Sequence, residues 1–415
     1  MRKRPKWLLR VFCCSVLCAA SVAAYSSQEL HAAFTLPGTL YVSPSALDRT
    51  EAGGGAAEVQ SSGDERLEEA LAKRRGSSAT VELLGVPVRT VEVVTLSQRL
   101  VPGGMAAGIK LYLEGVLVVG TSPVSTAAGE VESPAKQAGI RMGDVILAVN
   151  GQEVEDSDHL GELVNAAQGP VLLTVKREEV RRTVEVQPET DQPDGKRRLG
   201  VWTRDSTSGV GTVTFYDPAS GVFGALGHVI SDVDTQTPLP LRMGELVGAD
   251  ILGITRGERG APGELKGAFR QGARLGSVTE NCAYGIYGRA DEGFTNPLYP
   301  DGVEIAARAE VRLGKASILS TVDGEGVKEY DCEIIRLTGQ SAPDVRGIVV
   351  EITDERLLSA TGGIVQGMSG SPILQDGRLV GAVTHVFVND PKKGYGVYIE
   401  WMLGVAAQQN VLEAA

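Results

Sequence analysis

The 52 glycines in this chain of 415 residues constrain its fold more than any other feature. Glycine permits turns with φ > 0 and close approach of backbone segments, and it weakens the interior of long helices. Aromatic residues make up only 5% of the chain, whereas 42% of the residues are apolar. The composition therefore predicts many turns between short strands, with enough apolar residues for sizeable cores in two or three domains.

Residues 199–415 show the strand pattern most clearly. Runs rich in β-branched residues alternate with Gly, Asp and Asn turns, with strands every 8–12 residues or so. Examples are VGTVTFYDPASGVFGALGHVI, RGIVVEIT, GRLVGAVTHVF and YGVYIEWML, which we interpret as strand-rich segments. This pattern predicts an all-β domain, built either as a sandwich or as a pair of barrels.

The N-terminus has the pattern of an export signal. Five basic side chains fall within the first ten residues, and the next fifteen, VFCCSVLCAASVAAY, are apolar and uncharged. A permanent membrane span needs about 20 apolar residues. Residues 1–32 are therefore predicted to be a signal peptide or an uncleaved signal anchor, and the body of the protein is predicted to be exported.

Charge and cysteine usage exclude several classes of function. The net charge is −12, and the body without the five N-terminal basic residues carries 35 basic and 52 acidic side chains, or −17. Such an acidic surface is a poor partner for nucleic acid. Cys282 and Cys332 are the only cysteines of the body. We interpret them as free buried thiols, and neither as a disulfide nor as part of a zinc site with His228 and His385. The sequence predicts no cofactor and no metal ion.

Composition also divides the chain. Residues 33–78 are rich in Gly, Ser, Ala and charge and are predicted to be a flexible tether, followed by a short β segment at 79–98. A second stretch, residues 189–198, contains proline, glycine and many charges and is predicted to be a linker. The two domains predicted on either side of this linker are residues 99–188 and 199–415.

Residues 99–188 combine strands, two helical segments and a hairpin in a compact module. The segment SPAKQAGIRMGDVILAVNG resembles the same part of the PDZ domains of bacterial proteases. The resemblance implies a PDZ domain, to whose sheet a peptide C-terminus adds as a further strand. Gly108, Ile109, Lys110 and Leu111 correspond to the peptide-contacting segment, and the predicted ligand is a peptide or the protein's own chain.

Two segments of the all-β domain carry candidate catalytic residues. GALGH places His228 at the end of an apolar strand, a rigid setting for a general base, and GMSGSP contains Ser369 in a glycine-rich turn. The histidine comes first and the serine 141 residues later (369 − 228), as in serine proteases built from two barrels. The N–H groups of Gly367 and Ser369 could form an oxyanion hole. His385 is the alternative base and otherwise a core or interface residue.

A third catalytic residue would be a carboxylate that orients the histidine. Asp232 and Asp234 follow His228 closely, but a turn at a strand end is expected to point them into solvent. Asp354, in VVEITDERLL, precedes Ser369 by 15 residues. Spacing alone leaves the choice among these three aspartates open.

A second resemblance extends over about residues 80–403. The segments LVPGGMAAGIKL, GALGHVISDVDT and ITDERLLSATGGIVQGMSGSPILQDGRLVGAVTHVF are similar to those of the stage IV sporulation protein B peptidase family. The resemblance implies a PDZ domain beside a chymotrypsin-like two-barrel domain, with His228, Asp354 and Ser369 as the catalytic triad.

The same resemblance implies a biological role. A member of this family would be a serine endopeptidase at the forespore inner membrane or in the space between the two membranes around the forespore. It would cleave itself near the N-terminus and cleave the regulatory subunit of a membrane metalloprotease complex, which triggers processing of pro-sigma-K. The alternative is a secreted PDZ adaptor whose β-domain is not catalytic.

Overall fold

The computed structural model describes residues 39–42, 78–83, 86–95, 98–340 and 342–412. The predicted signal segment, residues 1–32, and most of the predicted tether lie outside the described residues. Among the residues that the structure does describe, none of the helices has both the length and the apolar character needed to span a bilayer.

Strands dominate the described chain, as predicted, and its four α-helices are short by comparison with the sheets. In chain order the strands are β1 (Thr39–Val42), β2 (Ser78–Leu83), β3 (Val86–Thr95), β4 (Val101–Pro102), β5 (Ala106–Thr121), β6 (Val124–Thr126), β7 (Gly129–Val131), β8 (Val145–Val149), β9 (Gln152–Glu153), β10 (Val171–Arg177), β11 (Val180–Val186), β12 (Glu189–Thr190), β13 (Arg197–Arg198), β14 (Val201–Tyr216), β15 (Val222–Ala225), β16 (Leu241–Thr255), β17 (Glu264–Cys282), β18 (Gly285–Ala290), β19 (Gly314–Ser320), β20 (Lys328–Leu337), β21 (Ile348–Ile352), β22 (Pro372–Gln375), β23 (Arg378–Phe387) and β24 (Asp390–Tyr398). The helices are α1 (Pro134–Gln137), α2 (Ser157–Ala166), α3 (Glu355–Thr361) and α4 (Ile399–Leu412).

Two six-stranded barrels follow from the strand pairing. In the C-terminal barrel, β19, β20, β21, β24, β23 and β22 pair in this order and close. In the N-terminal barrel, β5, β16, β17, β18, β15 and β14 pair in turn, and the pairing of β14 with β5 closes the ring. In a closed barrel the N–H and C=O groups of every strand are paired on both sides, whereas an open sheet leaves those of its two edge strands exposed. The predicted two-barrel architecture is confirmed.

The PDZ unit has an apolar core of its own, built on β8, β10 and the two helices α1 and α2. Helix α1 begins after Ser133, whose hydroxyl accepts the N–H of Lys136 as an N-cap. Helix α2 turns Leu160 and Val164 inward, one helical turn apart. The hairpin between β10 and β11 turns at Glu178 and Glu179, both at positive φ. The predicted helices and hairpin of the PDZ unit are confirmed.

Strands β5 and β14 run without interruption through both the PDZ unit and the N-terminal barrel. The second half of β5 pairs with β8 and with the first half of β14, Val201–Arg204. The first half of β5 pairs with β16 on one side and with the second half of β14 on the other. The predicted domains 99–188 and 199–415 therefore share two strands, and the first of them supplies β5 to the N-terminal barrel.

This sharing overturns the predicted peptide site at Gly108, Ile109, Lys110 and Leu111. These four residues pair with β14 along one edge and with β16 along the other. A strand whose two edges are already hydrogen-bonded cannot accept a further strand, so a peptide cannot add there.

The PDZ half of β5 has a partner from the same chain as well. Val201–Arg204 of β14 pair with Leu117–Thr121 of β5, while two side chains of β14 contact the start of α2. Thr203 Oγ1 lies 3.0 Å from Ser157 Oγ, and the carboxylate of Asp205 accepts the N–H of Ser157 at 2.9 Å. Pairing along a PDZ sheet edge is the way in which PDZ domains hold peptides. In this structure the chain itself makes that pairing.

Three further segments differ from the prediction. Strand β1 lies within the predicted tether and pairs in parallel with β3. The predicted linker forms the small hairpin of β12 and β13. The segment IEWML begins helix α4 instead of extending a strand, because Ile399, Met402 and Leu403 form one buried helical face. Cys282 and Cys332 are free thiols, as predicted, although Cys282 is only partly buried.

Candidate active site

The loop that carries Ser369 lies between α3 and β22, where the two barrels meet. Gly370 has φ of 95°, and a Cβ atom there would lie 2.1 Å from the carbonyl oxygen of Thr212 and 2.5 Å from the nitrogen of Leu226. A side chain at this position would collide with both, so only glycine allows the contact. The contact brings the serine loop of the C-terminal barrel against the loop of the N-terminal barrel that carries His228.

His228 follows β15 after two residues in the left-handed conformation, Leu226 and Gly227. Its Nδ1 lies 2.9 Å from the carbonyl oxygen of Val229. A carbonyl only accepts hydrogen bonds, so this contact assigns the proton to Nδ1 and leaves the lone pair of Nε2 free. Burial lowers the pKa of His228, against the opposing effect of the bond to Val229. The imidazole is therefore neutral near pH 7 and has the tautomer that a base at Nε2 requires.

Ser369, His228 and His385 meet in one place. The hydroxyl of Ser369 donates to the carbonyl oxygen of Thr384 at 2.8 Å, directly before His385. The rings of His228 and His385 lie 4.8 Å apart, centre to centre. The structure thus brings together the segments that carry the serine, the predicted base and the alternative base. Among the described residues, the serine hydroxyl bonds to Thr384 and to neither imidazole.

His385 is exposed on β23 and so is not a core residue, and its ring contacts that of His228. The ring is nonetheless crowded on the side of His228. Partial burial, together with the charges of His228 and Arg346, lowers the pKa of His385 to about 4. This imidazole is neutral over the whole physiological range.

Two backbone N–H groups beside the serine are available to a ligand. In residues 98–340 and 342–412, the N–H groups of Gly367 and Ser369 have no hydrogen-bond acceptor. The carbonyl groups of the same peptide units are anchored, since Gln366 accepts from Leu265 at 2.9 Å and Met368 accepts from Ser371 at 3.0 Å. A trans peptide unit is planar, so anchoring its carbonyl fixes the direction of its N–H. Fixed, unoccupied donors are what an oxyanion hole requires.

Asp354 is engaged elsewhere. Its carboxylate accepts the N–H of Arg356 at 2.9 Å and caps α3, and the Arg356 guanidinium contacts both carboxylate oxygens, at 3.1 and 2.7 Å. The bond to Arg356 is the largest of the effects that lower the pKa of Asp354 to about 2. The carboxylate is therefore charged at neutral pH, but within the described residues it bonds to Arg356 and to the N–H groups of Asp331 and Leu357, and not to His228.

The other two candidate aspartates stabilise the loop after His228. Asp232 is buried, contrary to the prediction, because it pairs with Arg204 and accepts the N–H groups of Asp234 and Thr235. Asp234 is half-exposed and pairs with the same arginine at 2.9 Å. The partner, Arg204, lies on β14, 28 residues before Asp232, so no local pattern indicates the pairing.

Asn281 is a further residue of the site that the sequence did not reveal. Its side-chain amide accepts the N–H of Ile230 at 2.9 Å and donates to the carbonyl oxygens of Ile230 and Leu239, at 2.9 and 3.1 Å. These three bonds tie both ends of the loop after His228 to β17. Asparagine is common in turns, so only the fold shows this role.

These features define a serine peptidase of the two-barrel class that carries a PDZ domain. A family model described as SpoIVB peptidase S55 matches residues 195–403, and a PDZ domain model matches residues 126–177. The first match covers half of the chain, which therefore belongs to the SpoIVB peptidase S55 family. The protein is a serine endopeptidase, and the alternative of an adaptor with a non-catalytic β-domain is set aside.

Individual proteins show more distant similarity. The chain is similar to the Rv3671c protease from M. tuberculosis in its active form, with 14% identity over 48% of this chain and 72% of that one and a TM-score of 0.27. It is also similar to the PDZ domain of an SdrC-like protein from Listeria monocytogenes, with 17% identity over 22% of this chain and 87% of that one and a TM-score of 0.18.

One curated relative shares a shorter region. A Lactococcus lactis protein with the name "Putative zinc metalloprotease LL2128" is 33% identical over 134 residues. The shared region is 30% of this chain and 31% of that protein. The chain thus spans less than a third of the length of this relative.

Proposed function

We propose that this chain is an exported serine endopeptidase of sporulation in which Ser369 is the nucleophile and His228 the general base. The observation that carries the assignment is the meeting of the two loops between the barrels, next to two fixed and unoccupied N–H groups. Those groups, from Gly367 and Ser369, form the proposed oxyanion hole.

The proposed reaction is acyl transfer. Ser369 Oγ turns from Thr384 towards His228 and attacks the carbonyl carbon of the scissile peptide, while Nε2 of His228 takes the hydroxyl proton. The former carbonyl oxygen becomes an oxyanion and accepts the N–H groups of Gly367 and Ser369. When the C–N bond breaks, His228 gives the proton to the leaving amine. Water then attacks the acyl-serine by the same route and releases the new carboxylate.

Asp354 is proposed as the carboxylate that orients His228 during catalysis. The proposal comes from the family resemblance, since the structure shows the carboxylate bonded to Arg356 and shows Nδ1 of His228 bonded to Val229. The role requires Asp354 to exchange Arg356 for His228. The described structure would then be a resting arrangement, in which each of the three residues is bonded to another partner.

Replacing Asp354 by asparagine tests this role. We expect kcat to fall by about 10⁴-fold, because a neutral amide does not stabilise the imidazolium that forms in the reaction. Arg356→Gln is the matched control, since it removes the same ion pair but keeps the carboxylate, and we expect its kcat to stay within about threefold of wild type. Equal losses of kcat in the two variants, measured on folded protein, would show that Asp354 acts only as a structural cap.

The nucleophile and base can be tested on the unmodified protein with a fluorophosphonate probe. We expect one label per molecule, located by peptide mapping on Ser369. Labelling needs neutral His228, whose pKa is lowered, so the rate should hold at pH 7 and fall only below the ordinary histidine pKa of about 6.5. Absence of labelling, or a label on another residue, would contradict the proposed function.

The proposed substrates are proteins at a membrane. They are the chain itself, cut within the predicted tether, and the regulatory subunit of a membrane metalloprotease complex, whose cleavage leads to processing of pro-sigma-K. The sequence of residues 1–32 supports export and attachment to the membrane, with later release by self-cleavage. These assignments rest on the family resemblance and on the composition of the N-terminal segment.

A further inference from the structure

Thr212, on β14, bonds to both catalytic loops with every polar atom that it has. Its N–H donates to the carbonyl oxygen of Ser369 at 3.0 Å, and its hydroxyl donates to the carbonyl oxygen of Gly367 at 2.8 Å. Its own carbonyl oxygen accepts the N–H of Leu226 at 3.2 Å, two residues before His228. A single buried residue thus connects the loop of the nucleophile to the loop of the base.

Thr214 makes a parallel contact two residues further along the strand. Its hydroxyl donates to the carbonyl oxygen of Gly370 at 2.8 Å, and the side chain is fully buried. Alternate residues of a strand point to the same side, so the two hydroxyls face the serine loop together. They bind the carbonyl groups two residues before Ser369 and one residue after it, and hold the loop on both sides of the nucleophile.

We propose that Thr212 and Thr214 are positioning residues for the peptidase reaction. Neither would touch the substrate. Their hydroxyls set the position of Ser369 Oγ relative to Nε2 of His228. Thr212 also holds Gly367, whose N–H belongs to the proposed oxyanion hole. This inference rests on the proposed catalytic roles of Ser369 and His228.

The contact depends on the hydroxyl rather than on the shape of the side chain. Valine has nearly the size of threonine but cannot donate, so Thr212→Val would leave the partly buried carbonyl of Gly367 without this partner. The loop would then move by a fraction of an ångström towards another donor. Displacements of about 1 Å at a catalytic group can lower the rate by about 10²-fold.

The experiment compares Thr212→Val, Thr214→Val and Thr212→Ser, by peptide hydrolysis and by fluorophosphonate labelling. We expect both valine variants to lower kcat by about tenfold to 100-fold, with KM within about twofold of wild type, and to slow labelling in proportion. Thr212→Ser keeps the donor and is expected to retain most of the rate. A purely structural role would lower the melting temperature but not the kcat of the folded fraction.

Thr203→Val is the matched control. Thr203 lies on the same strand and also bonds through its hydroxyl, but to Ser157 in the PDZ unit. Its kcat is expected to equal that of wild type. The inference is overturned if folded Thr212→Val has the kcat of wild type. If that variant does not fold, Thr214→Val decides, and a wild-type kcat in it overturns the inference. Failure of the wild type itself to label would instead refute the proposed function.

Discussion

Replacement of Ser369 by alanine is expected to lower kcat for peptide hydrolysis by about 10⁶-fold, because no other group at the site can form the acyl intermediate. What remains would come from the oxyanion hole and from substrate binding. The measurement is the hydrolysis rate of a protein substrate, together with N-terminal sequencing of the purified variant and wild type. The variant should keep the predicted tether, which we propose the wild type removes by cleaving itself.

Ser371→Ala is the control for this variant. The serine lies two residues away on the same loop and is fully buried, and among the described residues its hydroxyl has no hydrogen-bond partner. Its removal should leave kcat within about threefold of wild type, since no bond is lost. Wild-type cleavage by Ser369→Ala, or loss of cleavage in Ser371→Ala alone, would contradict the assignment of the nucleophile.

The second large effect is expected at His228. Alanine at this position should also lower kcat by about 10⁶-fold, because the nucleophile and its base act as one unit. Alanine at His385 should lower kcat by less than about tenfold. His228 has the anchored tautomer with a free Nε2, whereas His385 is exposed and has a pKa of about 4, too low for an effective base near pH 7.

The two histidine variants control for each other, since each removes one imidazole from the same ring contact. Equal folding of the two can be checked by their melting temperatures. Loss of activity in His385→Ala with retention in His228→Ala would reverse the assignment of the base.

The sequence predicted those parts of the site that depend on local chemistry. A glycine-rich turn around Ser369 and a strand end before His228 are each visible within about ten residues, because close backbone contacts select glycine. The spacing of strands and turns predicted an all-β domain, either a sandwich or a pair of barrels. The resemblance to the peptidase family implied the two barrels, and the structure confirms them.

The remainder depends on contacts between distant parts of the chain. Thr212 lies in an ordinary strand pattern, and nothing nearby shows that its hydroxyl meets a loop 155 residues away. The sequence around Asp232 predicts an exposed turn residue, whereas in the structure Asp232 is buried and pairs with Arg204. The segment Gly108–Leu111 corresponds in sequence to the peptide-contacting part of a PDZ domain, but its pairing with β16 makes it a barrel strand. A single sequence does not show which distant strands pair, or in which register they do so.

The continuity of β5 and β14 shows how the PDZ unit is joined to the enzyme. Ser122 donates to the carbonyl oxygen of Gly200 at 2.9 Å, so the chain leaves β5 and returns to β14 at neighbouring points. The PDZ unit is thus inserted between two neighbouring strands of the peptidase, and it is not a separate domain joined by one linker. Deleting residues 99–188 would remove strand β5 from the N-terminal barrel. Joining Thr121 to Val201 by a two-residue turn would instead preserve β5 and β14 as a hairpin.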